Sequence, residues 1–258
     1  MDFQYIKFET LGKIGRITLN HAEKRNALSL GMLKELCHLL NGMESREDIK
    51  VLIIKAAGKV FSSGHDLKEM VGRDKTHYDE VFDTCSSFMQ KLQKLPQPVI
   101  AQIQGIATAA GCQLVAACDL AVAETGAQFE TPGVKIGIFC TTPAIPLVRA
   151  IGRKRALEML FTGRMISAQE AQLYGLVNKV VPLDQLEAET MAMADKIAEA
   201  SLLTLGIGKR AFYTQVNLTD AQAYIFGSEV IVGNLLTEDA KEGIHAFFEG
   251  RKPIWQEK

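Results

Sequence analysis

The chain has 258 residues, 47% of them hydrophobic and 23% charged, and its formal net charge is −1. That composition excludes a disordered polymer and leaves room for one large α/β domain, or one domain with a small helical appendage. No basic stripe offers itself to nucleic acid or an anionic membrane, and no apolar run reaches the ~20 residues of a membrane span. The five histidines are scattered without ligand spacing, so no metal is expected. The cysteines Cys37, Cys85, Cys112, Cys118 and Cys140 are odd in number and mostly in apolar stretches, which predicts buried reduced thiols. A strand pattern begins almost at once, with no signal or transit segment before it, so the cytoplasm is the expected compartment.

In chain order, Gly15–Leu19 reads as a strand, followed by a loop holding Lys24 and Arg25. Ser29–Met43 reads as a helix, with Leu30, Leu33, Leu36, Cys37 and Leu40 on one stripe and Ser29 placed to cap it. Val51–Ile54 is the next strand, and Glu80–Leu95 the next helix, with Val81, Cys85, Phe88 and Leu92 on its stripe. Strands Pro98–Ile103 and Leu120–Ala123 follow, with an apolar helix between them ending near Asp119. Val51–Ile54, Pro98–Ile103 and Leu120–Ala123 are almost continuously apolar, as in strands covered on both faces. Ser167 and Glu170 have capping-box spacing, and Leu176–Val181 reads as a strand. From there the pattern is helical over Pro182–Ala200, Ser201–Tyr213, Asp220–Leu236 and Asp239–Gly250. The apolar faces of this last third exceed what its own size can bury, which suggests packing against a second copy. Strands alternating with helices imply right-handed βα crossovers.

Two small-residue turns stand out. One runs from Val60 to Met70 through Phe61-Ser62-Ser63-Gly64-His65-Asp66-Leu67-Lys68, and the other from Gln104 to Gln113 through Ala109-Ala110-Gly111-Cys112. Each follows a strand and opens a helical stretch. A helix start presents unpaired backbone N–H groups, and small residues let a ligand reach them. Side by side, two such turns would make an oxyanion hole. Either one alone is also an ordinary tight connection in a packed sheet.

The motif around Phe61–Leu67 resembles the first oxyanion block of the crotonase (enoyl-CoA hydratase/isomerase) superfamily. Gly105 through Asp119 resembles the second block, and Ala127-Gln128-Phe129-Glu130-Thr131-Pro132 with Ile136-Gly137 the third. Gly163, Ile166-Ser167-Ala168 and Gly175-Leu176-Val177 resemble a fourth, and Glu242-Gly243-Ile244 with Arg251-Lys252 the C-terminal helix. The blocks cover nearly the whole chain in the family's order. The combination of the first three narrows the resemblance to one group within the superfamily.

The resemblance implies an α/β fold, a spiral of βα units over residues 1–195 holding an acyl-CoA pocket. A helical oligomerisation region over residues 196–258 would build a trimer or dimer of trimers. It implies that the backbone N–H groups of His65 and Ala110 hold a thioester oxygen. Lys24 and Arg25 would meet the nucleotide of coenzyme A, which enters as part of the substrate with no separate cofactor. Ser63, Gly64, Asp66, Leu67, Lys68 and Gly111 would line the substrate site, with Arg251 and Lys252 as weaker candidates. Loops around Asp74–Phe82 and Phe139–Pro146 would set pocket depth.

The chain departs from the hydratase pattern at both catalytic glutamates, where it carries Gln113 and Gly133. Gln113 can orient water but cannot take its proton, and Gly133 has no side chain. Glu130, Asp66 and Cys140 are nearby in sequence; alternation is expected to turn Glu130 away, and Cys140 lacks an evident base partner. The His65 side chain is expected to turn toward solvent or Asp66. Two functions stay open: a hydratase/isomerase-like enzyme of weak or altered activity, and a non-catalytic acyl-CoA binding or sensor protein. No Walker A or dinucleotide fingerprint is present, so neither ATP nor NAD is expected.

Overall fold

Side-chain alternation in the central strands decides the layering. In a computed structural model describing residues 3–258, the main sheet has six strands in the order β1-β2-β3-β4-β6-β9. These are β1 (Ile6–Leu11), β2 (Ile14–Leu19), β3 (Val51–Ala56), β4 (Val99–Ile103), β6 (Leu120–Glu124) and β9 (Lys179–Val181). Only β1 runs antiparallel to its neighbour. Val51, Ile53, Ile100 and Val122 point to one face and Leu52, Ile54, Val99 and Ala101 to the other, every one of them buried. The near-continuous apolar runs are thus two interleaved faces, each covered by helices.

On one face lie α1 (Leu30–Asn41), α2 (Lys75–Lys94) and α3 (Ala110–Ala117); on the other lies α7 (Leu186–Ala198), through Leu186, Ala194 and Ala198. Ser29 caps α1 by accepting from Met32 N–H at 3.2 Å. The buried stripe of α1 is Met32, Leu33, Leu36, Leu39 and Leu40, so Cys37 flanks it rather than lying on it. Helix α2 starts five residues before the expected Glu80, because Asp74 caps it at His77 N–H (3.0 Å) ahead of a polar first turn that carries no apolar period.

A second sheet of three short strands, β5 (Ile106–Thr108), β7 (Gln128–Glu130) and β8 (Ile166–Ser167), follows the order β5-β7-β8. Two helices absent from the sequence reading, α4 (Thr141–Ile151) and α5 (Arg153–Thr162), bridge the gap before β8. Pro143 and Pro146 break the helical pattern of α4 without breaking the helix. The Ser167–Glu170 capping box opens α6 (Ala168–Tyr174) as read.

The expected strand at Leu176 begins only at Lys179. Gly175 ends α6 in the left-handed region (φ 89°), and Leu176 N–H returns to Ala171 O at 2.9 Å, so the buried Leu176 is the apolar contact of a helix end. The chain closes with α8 (Leu202–Gln215), α9 (Asp220–Leu235) and α10 (Glu238–Glu249). Helix α8 is fastened to the core by Lys209, whose ammonium donates to Asp119 Oδ2 (2.6 Å) and to the carbonyls of Leu92 and Gln97. Helix α9 buries none of its side chains and exposes Tyr224, Ile225, Ile231 and Leu235.

Candidate functional site

The two small-residue turns meet. Ser62 forms a parallel bridge with Ala107: its N–H donates to Ile106 O (3.2 Å), and its carbonyl accepts from Thr108 N–H (3.0 Å). A Cβ on Gly111 would lie 2.5 Å from Ser62 O, and one on Gly64 would lie 2.9 Å from Ala109 Cβ and 3.1 Å from Ala110 N. Only residues without side chains allow this approach, and Gly64 also takes a positive φ of 81°. Ala109, at the start of α3, holds φ 51° and ψ −117°, a strained conformation for an alanine. Its N–H donates to Glu130 O at 3.0 Å, which ties the strain to β7. The next N–H, that of Ala110, and the N–H of His65 donate to no group among the described residues.

A buried residue that sequence reading missed holds the first turn in place. Asn26 Oδ1 accepts from His21 N–H (2.9 Å), and its amide donates to Ala57 O and Val60 O, both at 2.8 Å. Asn26 O in turn accepts from Ser62 Oγ at 2.8 Å. Ser63 N–H donates to Arg25 O (3.0 Å), and Leu28 N–H to Gly64 O (2.8 Å). The Lys24–Arg25 loop therefore lies against the first turn, with both side chains exposed and in no ion pair among the described residues. Asp66 supports the turn: its Oδ1 accepts Lys68 N–H at 2.9 Å. Leu67 is 52% exposed and Lys68 also faces solvent. Arg251 does not offer a free charge, because Glu242 and Glu249 both engage it; the Arg251 ion pair in turn holds the Glu242 carboxyl down to about 2.

His65 turns neither to solvent nor to Asp66. Its Nδ1 faces Leu28 O at 3.3 Å, its ring meets Phe82 of α2 edge-on at 5.1 Å, and its Nε2 is buried without a partner. Burial pushes its pKa below the ordinary histidine value, partly offset by the Leu28 carbonyl. Packing against Phe82 gains more than a solvent-facing ring would, which is why the expectation fails.

Gln113 lies one turn into α3, buried, with its Oε1 also unpartnered. It opens on a groove of about 680 Å³ lined by Ser86, Met89 and Gln90 of α2, Thr142 of α4 and Phe212 of α8. Gly133, by contrast, has no space. A Cβ there would sit 2.4 Å from Ile138 O and 2.8 Å from Cys140 Sγ. The loop is closed by Ile138 N–H donating to Gly133 O at 2.9 Å. The two replaced positions therefore differ in kind: one keeps room for a glutamate-sized side chain, and at the other the chain has closed over the space.

The remaining candidates are accounted for. Cys140 is buried, and its thiol is pushed up by burial, with the Gly133 N–H lowering it and the Glu130 charge raising it further. Cys112 is pushed up to about 12 by burial, then by Cys140 and Glu130. The Glu130 carboxylate faces Lys135 at 3.8 Å.

Residues 9–258 match the model of the enoyl-CoA hydratase/isomerase family. The chain belongs to the enoyl-CoA hydratase/isomerase family. It is similar to enoyl-CoA hydratase domain-containing protein 3, mitochondrial, of Mus musculus, with 54% identity over 94% of this chain and 81% of that protein. The protein of that name from Homo sapiens is 52% identical over 95% of this chain and 81% of its own length. A crystal structure of the human protein superposes with a TM-score of 0.95, at 49% identity over 98% of this chain and 100% of that one. An enoyl-CoA hydratase from Mycobacterium smegmatis gives the same TM-score at 40% identity, over 98% and 99%. The group to which the first three sequence blocks point is therefore the right one, and the crotonase fold is shown. The mitochondrial names of the mouse and human relatives point away from the cytoplasm and overturn that expectation. A compartment address is read from a separate segment, so the folded family domain carries no trace of it.

Proposed function

We propose that this family member binds an acyl-CoA thioester and polarises its carbonyl between the N–H groups of His65 and Ala110. The observation that carries this reading is the stitched pair of turns, in which two N–H groups lie free beside a strained Ala109. Strain of this kind persists where the surroundings over-determine it, as at ligand clamps. Preorganised donors of this type are worth ~10²–10³ each in rate. Lys24 and Arg25 meet the phosphates of coenzyme A, which comes with the substrate. Ser63, Gly64, Asp66, Leu67, Lys68 and Gly111 form the rim and floor around the thioester, and Gln113 orients a group in the groove.

Hydration by a glutamate pair is not its chemistry. Gln113 takes no proton at neutral pH, and the space at Gly133 belongs to Ile138 and Cys140. General acid–base help is worth ~10²–10⁴ per step, so hydratase activity is weak or altered. The exposed apolar faces of α9 and α10, including Phe247 and Phe248 at 80% exposure each, support assembly through residues 196–258 as a trimer or dimer of trimers. Exposed patches of that kind mark interfaces.

The test is a calorimetric titration with crotonyl-CoA and longer enoyl-CoAs, run beside enoyl-thioester absorbance on the same preparation. Binding with slow or no loss of absorbance is expected. Absence of binding to every acyl-CoA sinks the reading, and hydration at ordinary hydratase rates sinks its second half.

A further inference from the structure

We propose that the His65 imidazole, through Nε2, is the proton-transfer group of this site and exchanges the proton on the carbon next to the thioester carbonyl. The inference rests on the acyl-CoA reading above and deepens it. Three observations carry it. The first is the tautomer. Leu28 O can only accept, so the neutral ring carries its hydrogen on Nδ1 and leaves a lone pair on Nε2. The second is that Nε2 is buried and partnerless. A buried acceptor without a partner costs free energy unless something else is served by it. The third is position. His65 contributes a free backbone N–H to the carbonyl-binding turn, so its side chain starts one residue from where the thioester oxygen would sit. Its ring packs on Phe82, which precedes Ser86 by one helical turn on α2, and Ser86 lines the same groove as Gln113. The imidazole therefore lies between the carbonyl-binding turn and α2.

The other groups are ill suited. Gln113 is neutral, Asp66 is held as a turn cap, Glu130 faces Lys135, and both nearby thiols are pushed away from the thiolate. The imidazole is kept in its neutral, accepting form by burial. The step balances without a co-reactant. The C–H bond at the carbon next to the carbonyl breaks, a proton bonds to Nε2, and the electron pair moves onto the thioester oxygen facing the two N–H groups. Reprotonation from the imidazolium reverses it, and in heavy water an imidazolium that first trades its Nε2 proton for a solvent deuteron delivers deuterium to that carbon.

The experiment incubates the whole protein with butyryl-CoA in heavy water and follows deuterium uptake by mass spectrometry, with calorimetry for binding and a thermal melt for folding. His65→Gln keeps the backbone N–H and is expected to bind butyryl-CoA while exchange falls by at least ~10²-fold, the size of a lost general base. Glu130→Gln is expected to keep exchange. Binding by the wild type without exchange overturns this inference and leaves the acyl-CoA reading intact. Exchange that survives in a folded His65→Gln, or that is lost in Glu130→Gln instead, also overturns it. Failure of the wild type to bind any acyl-CoA removes the reading on which it rests.

Discussion

Restoring the missing glutamate at position 133 is expected to damage the protein rather than complete it. The first side-chain atom of any residue there would lie 2.4 Å from Ile138 O and 2.8 Å from Cys140 Sγ, with Ile138 C at 3.2 Å. The nearest atom is backbone, held by the Ile138 N–H to Gly133 O hydrogen bond, so it cannot swing aside as a side chain would. Overpacking a closed site costs typically ~1–3 kcal/mol. For a chain of this length each kcal/mol moves the melting temperature by ~2–4 °C, so Gly133→Ala should melt ~2–12 °C below wild type. Gly133→Glu should fall at least as far. Cys140→Ala removes the sulfur contact but not the carbonyl, so Gly133→Ala in that background is only partly relieved. Scanning calorimetry on the wild type and these four variants reads this directly. If Gly133→Ala melts with the wild type, the closed-space argument is wrong. If Gln113→Glu with Gly133→Glu yields fast hydration, the whole account of the second position is wrong.

Gln113→Glu alone is expected to fold, because the side chains are nearly isosteric, and to retain acyl-CoA binding by calorimetry. Asn26→Ala strips three hydrogen bonds from part-buried backbone groups and should cost up to ~1–3 kcal/mol for each group that water does not reach, read as a lower denaturant midpoint and loss of acyl-CoA binding. Lys209→Met leaves Asp119 buried with only Tyr213 OH and Val99 N–H, and should cost ~3–5 kcal/mol in a denaturant melt. The ammonium and carboxylate are only 7% and 15% exposed, so water cannot replace the lost partner. For pH, burial lowers the folded His65 pKa below 6.5. The unfolded chain then binds a proton that the folded one refuses, so stability falls as pH drops through 6.5 toward the folded value. The wild-type melting temperature should therefore drop more between pH 7 and pH 5.5 than that of His65→Gln; equal drops contradict the assignment.

Much of this fold was legible because its signals are local. The near-continuous apolar runs of β3, β4 and β6 and the caps at Ser29 and Ser167 are properties of a few neighbouring residues. So is the run of small residues in each turn, while His65 and Ala110 as the donors came from the family resemblance. Helix α4 was hidden by Pro143 and Pro146, and the start of α2 by a polar first turn whose only signal was Asp74. The role of Asn26 depends on groups up to 36 residues away in the chain, and nothing beside it in sequence announces them. The direction of the His65 ring depends on Phe82, which arrives from another helix. Gly133 is the sharpest case. The sequence reveals that a carboxylate is missing, but only the approach of Ile138 reveals that no side chain would fit.

The most direct test of the central claim is the infrared spectrum of crotonyl-CoA carrying ¹³C at its thioester carbonyl, taken free and bound to this protein. A carbonyl held between the His65 and Ala110 N–H groups should shift to lower frequency on binding, while the double bond persists over the time of the measurement. A bound thioester whose carbonyl absorbs where it does in water would contradict the account.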